Sequence, residues 1–343
     1  MKKWILFSLL WMWCQNEVIA QSDDLLSAPT DPEYIDNHSD RLTLRTFVSR
    51  KIIGYQVGHS DAAHEVEYSP NDRTSIGVGF TYKALGLNLN FNLPALNDDD
   101  DVYGKTKVLD LATYLYLRKF TIDAFIQSYK GQYLSDNDIL SSRAAEGPYI
   151  LRPDLRTQYY GINGQYVFNH QRFSYRASFL QNEWQRKSAG SFLVGISLHH
   201  MRANADSAII PSFIDDFDGS PVSDFSESAS TSLGISAGYA HTFVYKRHLF
   251  ATLALTGGIG GNRSMYAATA TGAEASGFGL HLNGTLRVAA GYNSANWYVG
   301  ATYTNFLNRN LGPSEAQGLW QQGNSGIYSL ILARRFDFRR NKG

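Results

Sequence analysis

The amino-acid sequence predicts an all-β fold: an antiparallel transmembrane β-barrel of about twelve to fourteen strands behind a cleaved signal peptide. Three observations lead there. Long segments alternate apolar and polar residues with the two-residue period of a strand. Aromatic residues make up 13% of the chain and glycines number 30, against 9 prolines, a composition that suits strands. The first twenty residues carry an export pattern.

Taken in order, Lys2 and Lys3 precede an almost unbroken apolar run from Trp4 to Trp13. Val18-Ile19-Ala20 then precedes a cut ahead of Gln21. A charged start, an apolar middle and a small-residue end define a secretory signal peptide, here 1–20. Two alternatives stand beside it. A membrane anchor would need roughly 20 apolar residues, more than the run supplies. A lipoprotein anchor on Cys14 would follow Leu10-Trp11-Met12-Trp13, which lacks the usual small residues. Cleavage removes the one cysteine of the chain, so no disulfide framework is expected. Lysine plus arginine number 31 and aspartate plus glutamate 31. With no basic excess, no nucleic-acid partner is expected. No later segment approaches about eighteen uninterrupted apolar residues, which excludes helical spans and leaves a barrel open.

Residues 21–40 read as a flexible lead-in, 41–338 as the barrel and 339–343 as a basic tail. The clearest strand is Leu85 to Leu93, with Leu85, Leu87, Leu89, Phe91 and Leu93 on one face and Gly86, Asn88, Asn90 and Asn92 on the other. Twelve strands are read near 74–82, 85–93, 105–118, 120–133, 156–168, 171–182, 189–201, 231–244, 247–259, 278–292, 295–307 and 325–338. Many exceed the five or six residues typical of globular strands and reach the roughly 9–11 a tilted membrane strand needs. Aromatics crowd their ends: Tyr82, Tyr103, Tyr133, Tyr159, Tyr160, Phe168, Tyr292, Trp297, Phe306, Phe336 and Phe338. Girdles at two water interfaces have this form. A secreted sandwich or lipocalin-like barrel is the soluble alternative.

Connections alternate short and long, except once. The short link 183–188 falls where a long outer loop is due, and it puts 202–230 on the wrong side. An extra strand near 206–214 would restore the order, and 41–58 is a further candidate strand. Adding both gives fourteen strands and adding neither gives twelve, an even count in either case.

Several stretches resemble a known family. They are Tyr68-Ser69-Pro70-Asn71, Ile76-Gly77-Val78-Gly79-Phe80, Tyr82-Lys83 and Gly86-Leu87-Asn88-Leu89, then Phe173-Ser174-Tyr175-Arg176-Ala177, Lys187-Ser188-Ala189-Gly190-Ser191-Phe192, and Asp206-Ser207 running to Ile210-Pro211. Together they resemble an uncharacterised Bacteroidota family, domain-of-unknown-function family 4421, over about Asp36 to Phe338. The resemblance implies an exported outer-membrane barrel without an assigned activity, and it carries no site residues.

Charged residues placed inward are Lys83, Asp110, Arg118, Asp123, Arg172, Arg176 and Arg287. A charge facing lipid at the midplane costs roughly 2–4 kcal/mol, so the lumen is their natural place. There they either form a structural ladder or line a narrow polar pore. Asp98 to Asp101 read as a solvated acidic loop tip without the spacing of a calcium loop. His199 and His200 point to opposite faces and cannot share one metal. Ser197 and His199 share a face, with Asn204 nearby, which is the minimum of a hydrolase site, but no Gly-x-Ser-x-Gly elbow is present. Gly257 to Gly261 lack the lysine and helix of a phosphate loop and read as a strand end and flexible loop. No cofactor and no metal are expected.

These readings converge on an outer-membrane barrel, concretely a narrow channel for small polar solutes. The alternative is a non-conducting structural or partner-binding barrel acting through its long loops, and the third is a membrane-embedded hydrolase. Expected partners are outer-membrane lipid, lipopolysaccharide and the barrel-assembly machinery, which would read the aromatic-rich last strand.

Overall fold

The computed structural model describes residues 28–60, 65–71, 74–92, 97–135, 149–214, 224–268, 271–316 and 318–337. The signal segment, Cys14, Phe338 and the tail 339–343 lie outside the described residues. The strands are β1 (Ile35–Asn37), β2 (Leu42–His59), β3 (Val66–Ser69), β4 (Thr74–Tyr82), β5 (Leu85–Asn92), β6 (Lys107–Tyr116), β7 (Phe120–Leu134), β8 (Leu151–Val167), β9 (Glu183–Gln185), β10 (Ala189–Asn204), β11 (Glu227–Tyr245), β12 (Leu249–Ala267), β13 (Glu274–Asn293), β14 (Trp297–Leu311) and β15 (Leu319–Phe336). Two short helices are α1 (Asp100–Tyr103) and α2 (Tyr175–Phe179).

Among the described residues, β2, β4 to β8 and β10 to β15 pair antiparallel with their neighbours around a ring. The ring closes where β15 pairs with β2 from Leu319↔His59 to Phe336↔Leu42. Strand β3 bridges β2 and β7 directly above the shorter β4–β5–β6 segment, through Tyr55↔Tyr68 and Ser69↔Tyr133. The two-residue period then sorts the side chains inside out. On β12, Leu253 and Leu255 face outward at 51% and 60% exposure, while Ala254 and Thr252 face inward at 2%. Outward apolar and inward polar is the reverse of a soluble sandwich and suits lipid outside. On β14 and β15 the band ends at the stacked pair Tyr303–Tyr328, 4.2 Å apart. Beyond them Asn305 donates to Asn324 at 2.5 Å.

Two predicted strands are absent. Segment 171–182 holds turns and α2, and 206–214 contains no strand. The candidate at 41–58 is β2, so twelve strands form the ring. The parity problem resolves by removing a strand, because 168–188 folds back at the short-turn end, so β10 ends and β11 begins at the long-loop end. Ser174 shows why 171–182 is not extended: its Oγ accepts from Ala177 N at 3.0 Å and starts a helical turn. Residues 28–40, read as flexible, pack against this segment. Strand β1 pairs with β9, and Ile35 is buried. Gly257 to Gly261 lie inside β12 and not in a loop. Tyr159 and Phe306, expected at the girdles, instead pack against Phe125 in the interior, rings tilted and centroids 5.0 and 5.8 Å away.

The outward band sets one expectation. Leu255→Arg should lower barrel stability in phospholipid vesicles by about 2–4 kcal/mol, and Met265→Arg near the long-loop end by about 1 kcal/mol or less. Urea titrations that give equal losses would remove the lipid-facing assignment.

Candidate functional site: the stoppered lumen

A ring of twelve strands is too wide for side chains of the wall alone to fill, since eight strands leave an interior just filled. Here chain from two places enters from the short-turn end. Residues 28–40 and 168–188 form a stopper whose positions 173–178 and 180–183 are buried apart from the half-buried Phe179. Phe173, Tyr175 and Leu180 pack against Tyr116, Val167, Leu193, Ala240 and Ala254 of the wall.

Polar contacts lock the stopper to that wall. Glu183, fully buried, holds Arg118 from the β6–β7 turn and Arg176 from α2, the latter at 3.3 Å. Ser174 Oγ donates to the same carboxylate at 2.5 Å. Burial pushes the Glu183 carboxyl up, but Arg118 and Arg176 outweigh it and hold it below the ordinary 4.5. Arg335 of β15 donates to the carbonyls of Gln181 at 2.8 Å and Glu183 at 3.0 Å. Ser178 and Thr252 hydroxyls meet at 2.7 Å, and Tyr298 OH donates to Ser178 O at 3.0 Å.

Arg45 sits at the inner edge of this layer. It donates to Asn88 Oδ1 at 2.8 Å, Thr81 Oγ1 at 2.5 Å, Gln181 Oε1 at 3.3 Å and Tyr114 OH at 3.0 Å. All four acceptors are neutral. Farther in, Arg287 pairs with Asp123 and donates to Tyr116, whose hydroxyl donates to Asp123 at 2.8 Å. The guanidinium lies 5.4–5.8 Å from the ring centroids of Phe306, Tyr116, Tyr175 and Phe179. This cation–aromatic box joins the wall to the stopper. Beyond it, Lys51 pairs with Asp110, which also accepts from Tyr129. The long-loop end is closed by an apolar core that includes Tyr55, Tyr68, Leu155, Ile209, Phe225 and Tyr266.

Of the inward charges expected from the sequence, Asp110, Asp123, Arg118, Arg176 and Arg287 occupy the interior, Arg176 as part of the stopper. Lys83 and Arg172 do not. Lys83 is a turn residue with φ 53° and an exposed side chain, so the strand period does not extend to it; its carbonyl accepts from Arg176 at 2.7 Å. Arg172 lies in the turn before α2, over the Tyr34 ring and 3.3 Å from Asp31. Glu183, Arg45, Lys51 and Arg335 were missed: Glu183 lay in a presumed loop, and the others on strands read mainly for their apolar faces.

The hydrolase constellation is not assembled. Ser197 Oγ accepts from Asn283 at 2.7 Å, and His199 Nε2 lies 3.0 Å from Asn163 Oδ1. His200 faces the opposite way, against Thr231. Asp99 and Asp100 accept from Asn71 Nδ2 at 3.0 and 3.1 Å, and among the described residues no cluster is arranged to hold a metal.

The family model "Domain of unknown function (DUF4421)" matches residues 29–316. No curated protein matches the chain. Among solved structures, the chain is similar to the P. putida toluene transporter TodX at 8% identity and TM-score 0.26, covering 90% of this chain and 94% of that one. It is similar to OprG of Pseudomonas aeruginosa at 9% identity and TM-score 0.22, covering 88% and 98%. For the translocator domain of the autotransporter NalP from Neisseria meningitidis the values are 9% and 0.29, covering 95% and 97%. At these TM-scores the likeness bears on no functional point, and the barrel rests on its own strand pairing.

Removing one partner of a buried pair leaves the other charge uncompensated, at a cost of roughly 3–5 kcal/mol. Arg287→Ala should therefore lower the urea midpoint strongly, and the double variant Arg287→Met, Asp123→Leu much less. Equal losses in the two would show that the pair is not what holds this layer.

Proposed function

We propose, from the premise that this chain belongs to the DUF4421 family of domains of unknown function, that it is an outer-membrane barrel closed along its axis at rest, without enzymatic activity. Polar solutes pass only when the stopper leaves. The observation that carries this reading is the fully buried Glu183 carboxylate, which ties a wall turn and α2 together through Arg118 and Arg176. An open polar pore needs a hydrated lumen with free charges; here Asp110, Asp123 and Glu183 are each paired. The outward apolar band and the girdle at Tyr303–Tyr328 support placement in a bilayer, and the export pattern of residues 1–20 supports the outer membrane. The short-turn end, where the stopper enters, is then periplasmic, and the long loops face outward.

Purified, folded protein in a planar lipid bilayer should be silent at neutral pH. Glu183→Gln should open steady, salt-dependent steps, because uncompensated arginines weaken docking by roughly 3–5 kcal/mol, about two to four powers of ten in the docking equilibrium constant. The pH dependence has a definite sign. The carboxyl is lowered in the folded state, so its contribution is complete above the ordinary carboxylate range and is lost as pH falls through the lowered value. Wild type should thus begin to conduct only in acid, as the pH falls below the ordinary carboxylate range. Steady currents from wild type at neutral pH would overturn the closed-axis reading.

A further inference from the structure

Among the described residues every ladder of the ring runs over eight pairs or more except at one seam. Strands β4 and β5 pair over eight positions from Ser75↔Asn92 to Tyr82↔Leu85, and β6 and β7 over ten. Between β5 and β6 the ladder holds a single pair, Leu85↔Leu115. Burial marks the same place independently. Inward positions of the other strands are mostly buried or half-buried, yet on β6 inward-facing Val108 is 50% exposed and Ala112 is exposed, as is inward-facing Asn90 of β5. An accessible chamber therefore lies behind the seam. Its floor is the stopper: a Cβ added at Gly86 would stand 3.2 Å from Leu180 Cδ2 and 2.9 Å from Tyr114 Cε2. Its upper rim is held where Asn71 donates to Asp99, Asp100 and the Gly104 carbonyl, and Thr106 donates to Gly131 O at 2.7 Å. Outside, Leu87, Leu89, Leu109 and Leu111 frame the seam at 49–59% exposure.

The layer under the chamber is rich in cations. Arg45 lies at its edge, 3.2 Å from a Cβ added at Gly86, and Arg118, Arg176 and Arg335 are buried in the stopper layer, where the Glu183 carboxylate holds Arg118 and Arg176. Among the described residues the carboxylates that face these cations are Glu183 and, at Arg335, the half-exposed Asp36, while Arg45 is met by four neutral acceptors, so a further anion beside Arg45 would stabilise the layer. In a bilayer, unpaired strand edges and apolar rims invite a molecule whose tail fits lipid and whose head carries that anion. We propose that the β5–β6 seam is a lateral window through which a single-chain anionic amphiphile enters from the bilayer, with its head toward Asn88, Asn90 and Arg45 and its tail between the leucine rims. This rests on the membrane-inserted, axially closed barrel proposed above. It adds a route that bypasses the stopper.

The one cysteine of the chain lies in segment 1–20, so an engineered pair is clean once that segment is removed. In continued register Leu89 would face Leu111, and Leu89→Cys with Leu111→Cys would zip the seam. The probe is dansyl-labelled undecanoate, read by fluorescence on folded protein in lipid nanodiscs, with the corresponding dansyl-labelled alcohol as the uncharged comparison. Reduced protein should bind the carboxylate saturably, about tenfold more tightly than the alcohol. Oxidation should abolish binding and reduction restore it. Ala112→Trp, which fills the chamber from an exposed inward position, should lose binding while keeping the heat-modifiable mobility of a folded barrel. Val299→Trp on the lipid face should bind as wild type. Equal binding by oxidised and reduced protein, or by Ala112→Trp and wild type, overturns the window. Equal binding of the alcohol overturns the anionic head. Steady bilayer currents from wild type would overturn the closed axis instead, so the two readings fail separately.

Discussion

The Glu183 carboxylate is the contact on which the interior depends. Taking one carboxylate fully out of water is unfavourable by several kcal/mol unless cations and donors replace the lost hydration. Arg118, Arg176 and the Ser174 hydroxyl do so. Those three come from a wall turn, from α2 and from the residue that caps α2. Arg176 and Ser174 belong to the stopper itself and Arg118 to the wall, so the carboxylate has its full set of partners only when the stopper is seated. Arg335 extends the arrangement to β15 through the carbonyls of Gln181 and Glu183, so the closing strand of the ring is tied to the same point.

This coupling answers a problem of barrel size. Twelve strands enclose more space than wall side chains fill, and an unfilled polar interior would take in water. The chain fills it in layers of different chemistry. The stopper comes first, then the Arg287 box with its four aromatic rings, then the Lys51–Asp110 pair, and last an apolar core under the long loops. The polar layers pair nearly all of their charge, and at the last layer Arg152, over the Tyr68 ring, pairs with Asp154. Arg45, met by four neutral acceptors among the described residues, lies beside the stopper, where the wall is also least continuous.

The wall was legible in the sequence because lipid imposes a two-residue period on every strand it touches. Segments such as Leu85 to Phe91 and Leu249 to Ile259 show that period without any tertiary information. The stopper was not legible for the same reason. In 171–182 the odd positions Phe173, Tyr175, Ala177 and Phe179 alternate with Ser174, Arg176 and Ser178 as a wall strand would, yet both sets are largely buried because wall surrounds them. Periodicity reports a difference between two faces, and a segment enclosed on all sides has no such difference to report. The signal that did exist was topological: a short link in the position of a long loop. It marked the link 183–188, but the repair it suggested, an extra strand near 206–214, missed both place and direction: the ring has a strand fewer, at 171–182. Glu183 was hidden with it, since a carboxylate in a presumed loop carries no expectation of burial.

The seam follows from strand lengths. Strands β4, β5 and β6 have 9, 8 and 10 residues, whereas β11, β12 and β13 have 19, 19 and 20. A long strand is held in register by neighbours over its whole length, well past the apolar band. A short one is held only within the band, and above it β2 must find another partner, which is β3. Once β3 joins β2 to β7, the ring above the short strands is already closed without them. The β5–β6 ladder then carries no burden of closure, and its pairing can lapse to one residue pair without opening the barrel along its axis. Lateral access and axial closure are therefore compatible consequences of one length mismatch.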